Sequence, residues 1–347
     1  MKIEGAGKPG TLLDCLRPQG GWAAPMTAAT AILPAIGAAP ARASSLGLDG
    51  LGRSIVLAVA YADVFEHALT AEEIHRYLVG LRVSRRAVDQ ALASGRIPPR
   101  HLARAGRFYT LPGREELAAI RGRRERASAG LWRRATRYGA IFGCLPFVRM
   151  VAVTGSLAMN NAEADSDVDY LIVTRPGRLW LGRLVVMVVA RLASRRGSRL
   201  CVNYLLSERA LEIRERTHYA ARELSQMVPL SGWTVYQRML AANAWARRVL
   251  PNASDPPPRA LWGPLREPLA ALRALRWLAE ACLVGPPGAW LERNEMRIKT
   301  EMLRGTPDPC DEARFSRDEF KSHFAGHGRR TMHSWSQRLR ELGRVTA

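Results

Sequence analysis

The sequence is poor in lysine, in acidic residues and in paired cysteines. Of its 52 basic residues only four are lysine (Lys2, Lys8, Lys299, Lys321), set against 31 acids, so the net charge is +21 and the isoelectric point is near 11.0. A field of that sign attracts polyanions: nucleic acid, nucleotides or an anionic membrane face. Arginine in place of lysine, with abundant alanine, is equally the mark of a GC-rich coding sequence, so charge alone does not select a nucleic-acid partner. The five cysteines (Cys15, Cys144, Cys201, Cys282, Cys310) have no CxxC or other paired spacing. That excludes a zinc signature and a disulfide framework, and fits a reducing cytoplasm. No run approaches 18 uninterrupted apolar residues; the nearest, 179–193, is broken by Arg183 and Arg191, so no integral membrane segment is expected. The apolar stretch 22–43 carries Pro25, Pro34 and Pro40 and lacks a positive cluster before it. It reads as an Ala/Pro tail or an upstream extension rather than a signal peptide.

What is present is an ordinary globular composition, 47% hydrophobic and 24% charged over 347 residues, enough for two or three domains. Residues 1–50 are rich in Gly, Ala and Pro without periodicity and are expected to be a disordered tail. Over 51–113 the pattern is three helices and a hairpin. Ile55, Leu57, Tyr61 and Val64 recur at helical spacing; Thr70 with Glu73 forms a capping box; Ser84 caps the third helix. Extended pieces around Leu102 and Phe108–Leu111 follow, and the whole reads as a winged helix. Its third helix offers Arg85 and Arg86, with Arg96 just beyond, to DNA. The alternative role is packing beside the next domain, and without a dimerisation element packing is the preferred reading. Residues 114–140 read as one basic linker helix carrying Arg121, Arg123, Arg124, Arg126, Arg133, Arg134 and Arg137, either solvated or a rail for phosphates.

The core, 141–210, is expected to run strand 148–154, short helix from Ser156, strand 167–173, helix 179–194 and strand 200–206. A helical region, 211–347, follows, with helices over 209–227 and 235–249 separated by a Pro229/Gly232 break, and further helices over 264–304 and 316–343 interrupted by Gly285-Pro286-Pro287-Gly288 and by Pro307 and Pro309. Chemistry concentrates where the first core strand runs into Thr154-Gly155-Ser156. Gly155 lets the backbone approach a ligand closely, and Ser156 adds a hydroxyl beside free helix-start amides, a combination suited to a triphosphate. Asp167-Val168-Asp169 then enters the apolar run Tyr170-Leu171-Ile172-Val173. Residues two apart on a strand point the same way, so the two carboxylates converge. Their mutual repulsion is relieved by a hard divalent cation, Mg²⁺ or Mn²⁺, bound together with substrate phosphates.

The stretch Gly155-Ser156-Leu157-Ala158 to Ser166-Asp167-Val168-Asp169 resembles the signature of the DNA polymerase β-like nucleotidyltransferases, most of all their minimal bacterial and archaeal members. The resemblance spans about 60 residues, 148–206. It implies an α/β (α+β) core with a small mixed sheet and helices on one side, and Mg²⁺-dependent transfer of a nucleoside monophosphate from an NTP to a hydroxyl. By that resemblance Gly155 and Ser156 bind phosphate, and Asp167 and Asp169 are the catalytic, metal-binding pair. A third carboxylate is usual on a later strand, and there Asn203 stands. Asn offers a carbonyl to a cation but cannot take a proton; Glu208, Glu163 or Asp165 are the candidate substitutes.

Arg175, with Arg178 and Arg183, follows the Asp strand and is read as a nucleotide contact. His218, Tyr219, Arg222 and Glu223 share helical spacing and face either the cleft or the core. His323, His327 and His333 make no zinc signature. The expected function is a cytoplasmic nucleotidyltransferase with an RNA end, a protein or a small molecule as acceptor. The alternative is a catalytically weak, nucleotide-sensing regulator that binds DNA through the winged helix.

Overall fold

The computed structural model describes residues 47–253, 257, 270–304, 313–322 and 326–344. The tail expected over 1–50 therefore lies outside the described residues apart from its last four. The chain is mixed α/β, with twelve helices, a six-stranded mixed sheet and a three-stranded antiparallel sheet among the described residues.

The small sheet belongs to the first segment: α1 (Gly50–Asp63), β1 (Leu69–Thr70), α2 (Ala71–Arg76), α3 (Arg85–Ala93), β2 (Ala103–Ala105) and β3 (Phe108–Thr110), with strand order β1-β3-β2. The Thr70–Glu73 capping box forms, and Ser84 caps α3 by accepting from the Ala87 amide. Ile55, Ile74, Leu78, Val88 and Ala91 point into one core, as their helical spacing requires. β1, two residues long, has too few positions for alternation to reveal it.

The basic helix is α4 (Leu117–Cys144). Two of its arginines are structural. Arg121, 3% exposed, bonds Glu73 at 2.8 Å, Glu125 at 3.0 Å and the Ala68 carbonyl at 3.1 Å. Arg124 reaches Glu66 and Glu163, each at 3.0 Å. They fasten the first segment to α4 and to the loop before the Asp pair. Arg123, Arg126, Arg133 and Arg137 are exposed.

The large sheet is built from β4 (Val148–Val153), α5 (Gly155–Ala158), β5 (Val168–Thr174), α6 (Leu179–Ser194), β6 (Leu200–Ser207), α7 (His218–Gln226), β7 (Val228–Ser231), α8 (Trp233–Ala242) and α9 (Ala246–Val249). β4 is antiparallel to β5 and to β7, while β5 and β6 are parallel. One face, with Val151, Val153, Tyr170, Ile172 and Leu205, packs against α4 and α6 through Trp132, Phe142 and Trp180. The other, with Met150, Ala152, Leu171 and Val173, packs against α7–α9 through Leu224, Tyr236 and Trp245. Burial on both faces is why these strands read as continuous apolar runs rather than alternating ones. It also corrects the expectation of helices on one side only.

Several boundaries differ from expectation. The helix expected over 209–227 begins only at His218, behind the Thr217 cap. The Pro229/Gly232 break contains β7, where proline is tolerated because the strand lies at the sheet edge. The expected helical stretch 264–304 divides at its Gly285–Gly288 interruption into α10 (Ala270–Val284) and α11 (Pro286–Arg304), with 264–269 outside the described residues. The expected helix 316–343 begins as a hairpin, β8 (Arg314–Phe315) and β9 (Glu319–Lys321), which extends the sheet in the order β7-β4-β5-β6-β9-β8. Only then comes α12 (His327–Arg344).

α12 packs onto the first segment. Trp335, 1% exposed, donates from Nε1 to the Leu57 carbonyl at 3.1 Å, and Arg338 meets Asp63 at 2.7 Å. The last helix thus completes the first hydrophobic core. Among the described residues no helix is long and apolar enough to cross a membrane.

Candidate functional site

The site lies where β4 ends and β5 begins. These strands are antiparallel, with Val153 opposite Tyr170, so the exit of one meets the entry of the other. The Thr154 amide donates to the Asp169 carbonyl at 3.1 Å. Gly155 follows with φ +66°, and a Cβ placed on it would stand 2.5 Å from Oδ2 of Asp169. Glycine is required here twice over, by its left-handed backbone and by the carboxylate lying against its Cα.

Asp167 stands just before β5 and Asp169 is its second residue. Burial, and then the charge of Asp167, push the Asp169 carboxyl up to about 7, against a hydrogen bond from Cys201. Asp167 is also raised, by burial foremost, with Arg199 opposing.

The third-position expectation resolves into a different arrangement. Asp169 lies opposite Cys201, and Leu171 lies opposite Tyr204, so β6 carries one extra residue between them. This bulge places Asn203 and Tyr204 both on the cleft. Asn203 does not bond Asp169; its amide donates to Cys201 Sγ at 2.8 Å.

A third carboxylate comes instead from α7. Glu223 lines the same cleft, is pushed up to about 7 by burial and by the charge of Asp169, and is opposed by Arg222 and by a hydrogen bond from the Gly155 amide. Gln226 Nε2 donates to it at 2.6 Å. One amide expected to face phosphate is therefore turned to Glu223. The substitutes named from the sequence lie elsewhere: Glu208 pairs with Arg238 at 2.9 Å, Glu163 with Arg124, and Asp165 is exposed. Among the described residues no three of His, Cys, Asp and Glu are gathered as ligands for a metal ion.

The cleft has a volume of about 980 Å³ and is lined on one side by Thr154, Gly155, Ser156 and Asp169. Tyr61 and His67 from the first segment and Arg329 and Met332 of α12 line it as well. The volume is at the upper end for ligand pockets. Tyr219 and Arg222 line it too, whereas His218 is stacked on Trp335, ring centroids 4.5 Å apart, and pushed down to about 3 by burial and by Arg222.

Arg175 is not brought to this site. It follows the far end of β5, roughly 20 Å along the strand from Asp169, and meets Glu280 at 3.7 Å. Strand length, which the nearness in sequence conceals, separates them. Arg178 bonds the carbonyls of Leu283 and Val284, and Arg183 pairs with Glu295, so both hold the α10–α11 hairpin rather than a ligand. Arg85 pairs with Asp89 at 2.9 Å and Arg96 with Asp49 at 3.3 Å, while Arg86 is exposed. His323 lies outside the described residues; His327 opens α12 and His333 follows within it.

Compared with family models, curated proteins and solved structures, the chain matches none.

Proposed function

We propose that the protein is a Mg²⁺- or Mn²⁺-dependent nucleotidyltransferase of the DNA polymerase β-like type, with a winged helix over 51–113 and its core over 141–210. The observation that carries this is the Asp169 carboxylate occupying the place where a Cβ on Gly155 would stand, with Gly155, Ser156 and Asp169 lining one cleft. The donor set fits a hard cation. Asp167 and Asp169 are oxygen donors two residues apart that interact by charge, and Mg²⁺ needs only one or two carboxylates beside substrate phosphates and water. When bound there, the metal would polarise the α-phosphate and neutralise charge on the leaving pyrophosphate.

In this reading the Ser156 hydroxyl and its amide bind phosphate oxygens of the NTP. Glu223, a cleft carboxyl poised near neutrality, takes the proton of the acceptor hydroxyl. The acceptor oxygen bonds to the α-phosphorus, the bond from α-phosphorus to the bridging oxygen breaks, and pyrophosphate leaves. An RNA end is the favoured acceptor. Arg123, Arg126, Arg133 and Arg137 are exposed on α4 and fall within about 80° of its circumference, a geometry suited to a phosphate backbone. The carboxylate partners of Arg85 and Arg96 support a packing role for the winged helix over duplex binding.

Incubation with α-labelled NTPs, Mg²⁺ or Mn²⁺ and cellular RNA tests the proposal. Pyrophosphate release and label transfer are expected for the wild type and lost in Asp167→Ala and Asp169→Ala. Identical behaviour of wild type and both variants would end it.

A further inference from the structure

Arg222 has a property that the site as described does not use. It is 3% exposed and lines the cleft, yet among the described residues no carboxylate lies within ion-pair distance of it, and its Nε has no hydrogen bond. Its guanidinium rests 3.5 Å from the ring centroid of Tyr77 and 5.3 Å from that of Tyr61. The carboxylates nearest in charge are engaged elsewhere. Glu73 accepts from Arg121 at 2.8 Å and from the Thr70 amide at 2.9 Å, and Glu223 accepts from Gln226.

Among the described residues the other two buried arginines, Arg121 and Arg183, have carboxylate partners, as does half-buried Arg149. Arg121 has Glu73 and Glu125, Arg149 has Glu280 at 2.7 Å, and Arg183 has Glu295 at 3.7 Å. A buried cation without a counter-ion is unfavourable, and contact with aromatic faces returns only part of the lost hydration. Such a group on the wall of an open cleft is completed by an anion that the ligand brings.

We infer that Arg222 is the receptor for a phosphate group of the ligand that fills this cleft. The planar guanidinium matches a phosphate with two parallel N–H donors, which an ammonium could not do. Ser156 lines the same cleft and carries a neutral hydroxyl donor. The choice of phosphate over other anions rests on the nucleotidyltransferase reading. Two sources share this chemistry: the terminal phosphate of the NTP, or a phosphate carried by the acceptor.

The test is calorimetric titration of the full chain in EDTA with inorganic tripolyphosphate, ATP, adenosine and a 5′-phosphorylated oligoribonucleotide. Wild type, Arg222→Gln, Arg222→Lys and Asp169→Asn are compared. At least a tenfold loss of tripolyphosphate and ATP affinity in Arg222→Gln, with adenosine unchanged, supports the NTP as source. A tenfold loss confined to the phosphorylated oligonucleotide supports the acceptor as source. Arg222→Lys should fall between wild type and Arg222→Gln. Unchanged affinity for every phosphorylated probe in Arg222→Gln overturns the inference.

Folding of Arg222→Gln is checked by thermal unfolding. A melting temperature equal to or above that of the ligand-free wild type agrees with removal of an unmatched charge, and a lower one contradicts it. Asp169→Asn separates the two claims. If the wild type transfers no nucleotide but Asp169→Asn still binds tripolyphosphate through Arg222, the transferase reading fails and the phosphate receptor stands.

Discussion

Replacing Gly155 by alanine places a methyl carbon 2.5 Å from Oδ2 and 3.3 Å from Cγ of Asp169, on a residue whose φ is +66°. Two costs add. The left-handed backbone costs a side chain about 1 kcal/mol or somewhat more. The clash turns the Asp169 side chain away from its rotamer, at about 1 kcal/mol, and breaks its Cys201 hydrogen bond, about 1 kcal/mol more. The sum is about 3 kcal/mol. Gly177→Ala and Gly197→Ala are matched controls, because their φ values are +69° and +73° and an added Cβ meets nothing within 4 Å. They carry the backbone cost alone, about 1 kcal/mol. In a chain of this size that means melting temperatures lower by about 6 °C for Gly155→Ala and about 2 °C for the controls. Thermal unfolding and a Mn²⁺ titration read both consequences, with cation affinity at least tenfold weaker in Gly155→Ala alone. If Gly155→Ala melts with the controls and binds Mn²⁺ like the wild type, the carboxylate is not held against Gly155 and the reasoning fails.

Asp169→Asn should stabilise the metal-free protein at pH 8 while abolishing its response to Mg²⁺. A folded-state value near 7 means that ionisation disfavours folding progressively from about pH 4 to pH 7, and the amide removes that effect, worth about 2 kcal/mol after screening. Urea unfolding in EDTA checks it, and a loss of stability at pH 8 counts against it. Glu223→Gln should slow transfer at least a hundredfold and flatten the rise in rate near pH 7, with NTP affinity within a few fold of wild type. Single-turnover rates across pH decide, and an unaltered profile excludes Glu223 as proton acceptor. His218 is held neutral in the folded chain, so its contribution is complete above pH 6.5 and is lost as pH falls towards 3. His218→Phe should therefore be more stable than wild type by about 2 kcal/mol at pH 5 relative to pH 7.5, measured by urea unfolding at both values; an unchanged difference refutes the assignment.

The meeting of Gly155 with Asp169 is legible because it is local: one strand exit, a short gap and the next strand entry bring the Asp169 carboxylate to the glycine, whereas Asp167 is not among the residues lining the cleft. The Thr70–Glu73 and Ser84 caps were legible for the same reason, each being written in four consecutive residues. For Glu223 the sequence left cleft and core equally open: it sits on a helix 54 positions beyond Asp169, and only the packing of α7 on the sheet brings it to the Gly155 amide. The bulge in β6 was equally hidden, since no glycine or proline marks it, yet it decides that Cys201 rather than Val202 lies opposite Asp169. Arg175 shows the converse: six residues from Asp169 in sequence, it is a whole strand away in space. α12 completing the first core depends on Trp335 and Leu339, whose partners are nearly 280 residues earlier, and no periodicity within a helix names its partner.

The most direct measurement of the central claim is a crystal structure of the full chain with Mn²⁺ and a non-hydrolysable NTP, with anomalous differences recorded for manganese. A manganese peak on the Asp167 and Asp169 carboxylates at about 2.2 Å, with the triphosphate beside Ser156, is the predicted result. A nucleotide bound elsewhere, or a cleft with nucleotide and no manganese at those carboxylates, would contradict it.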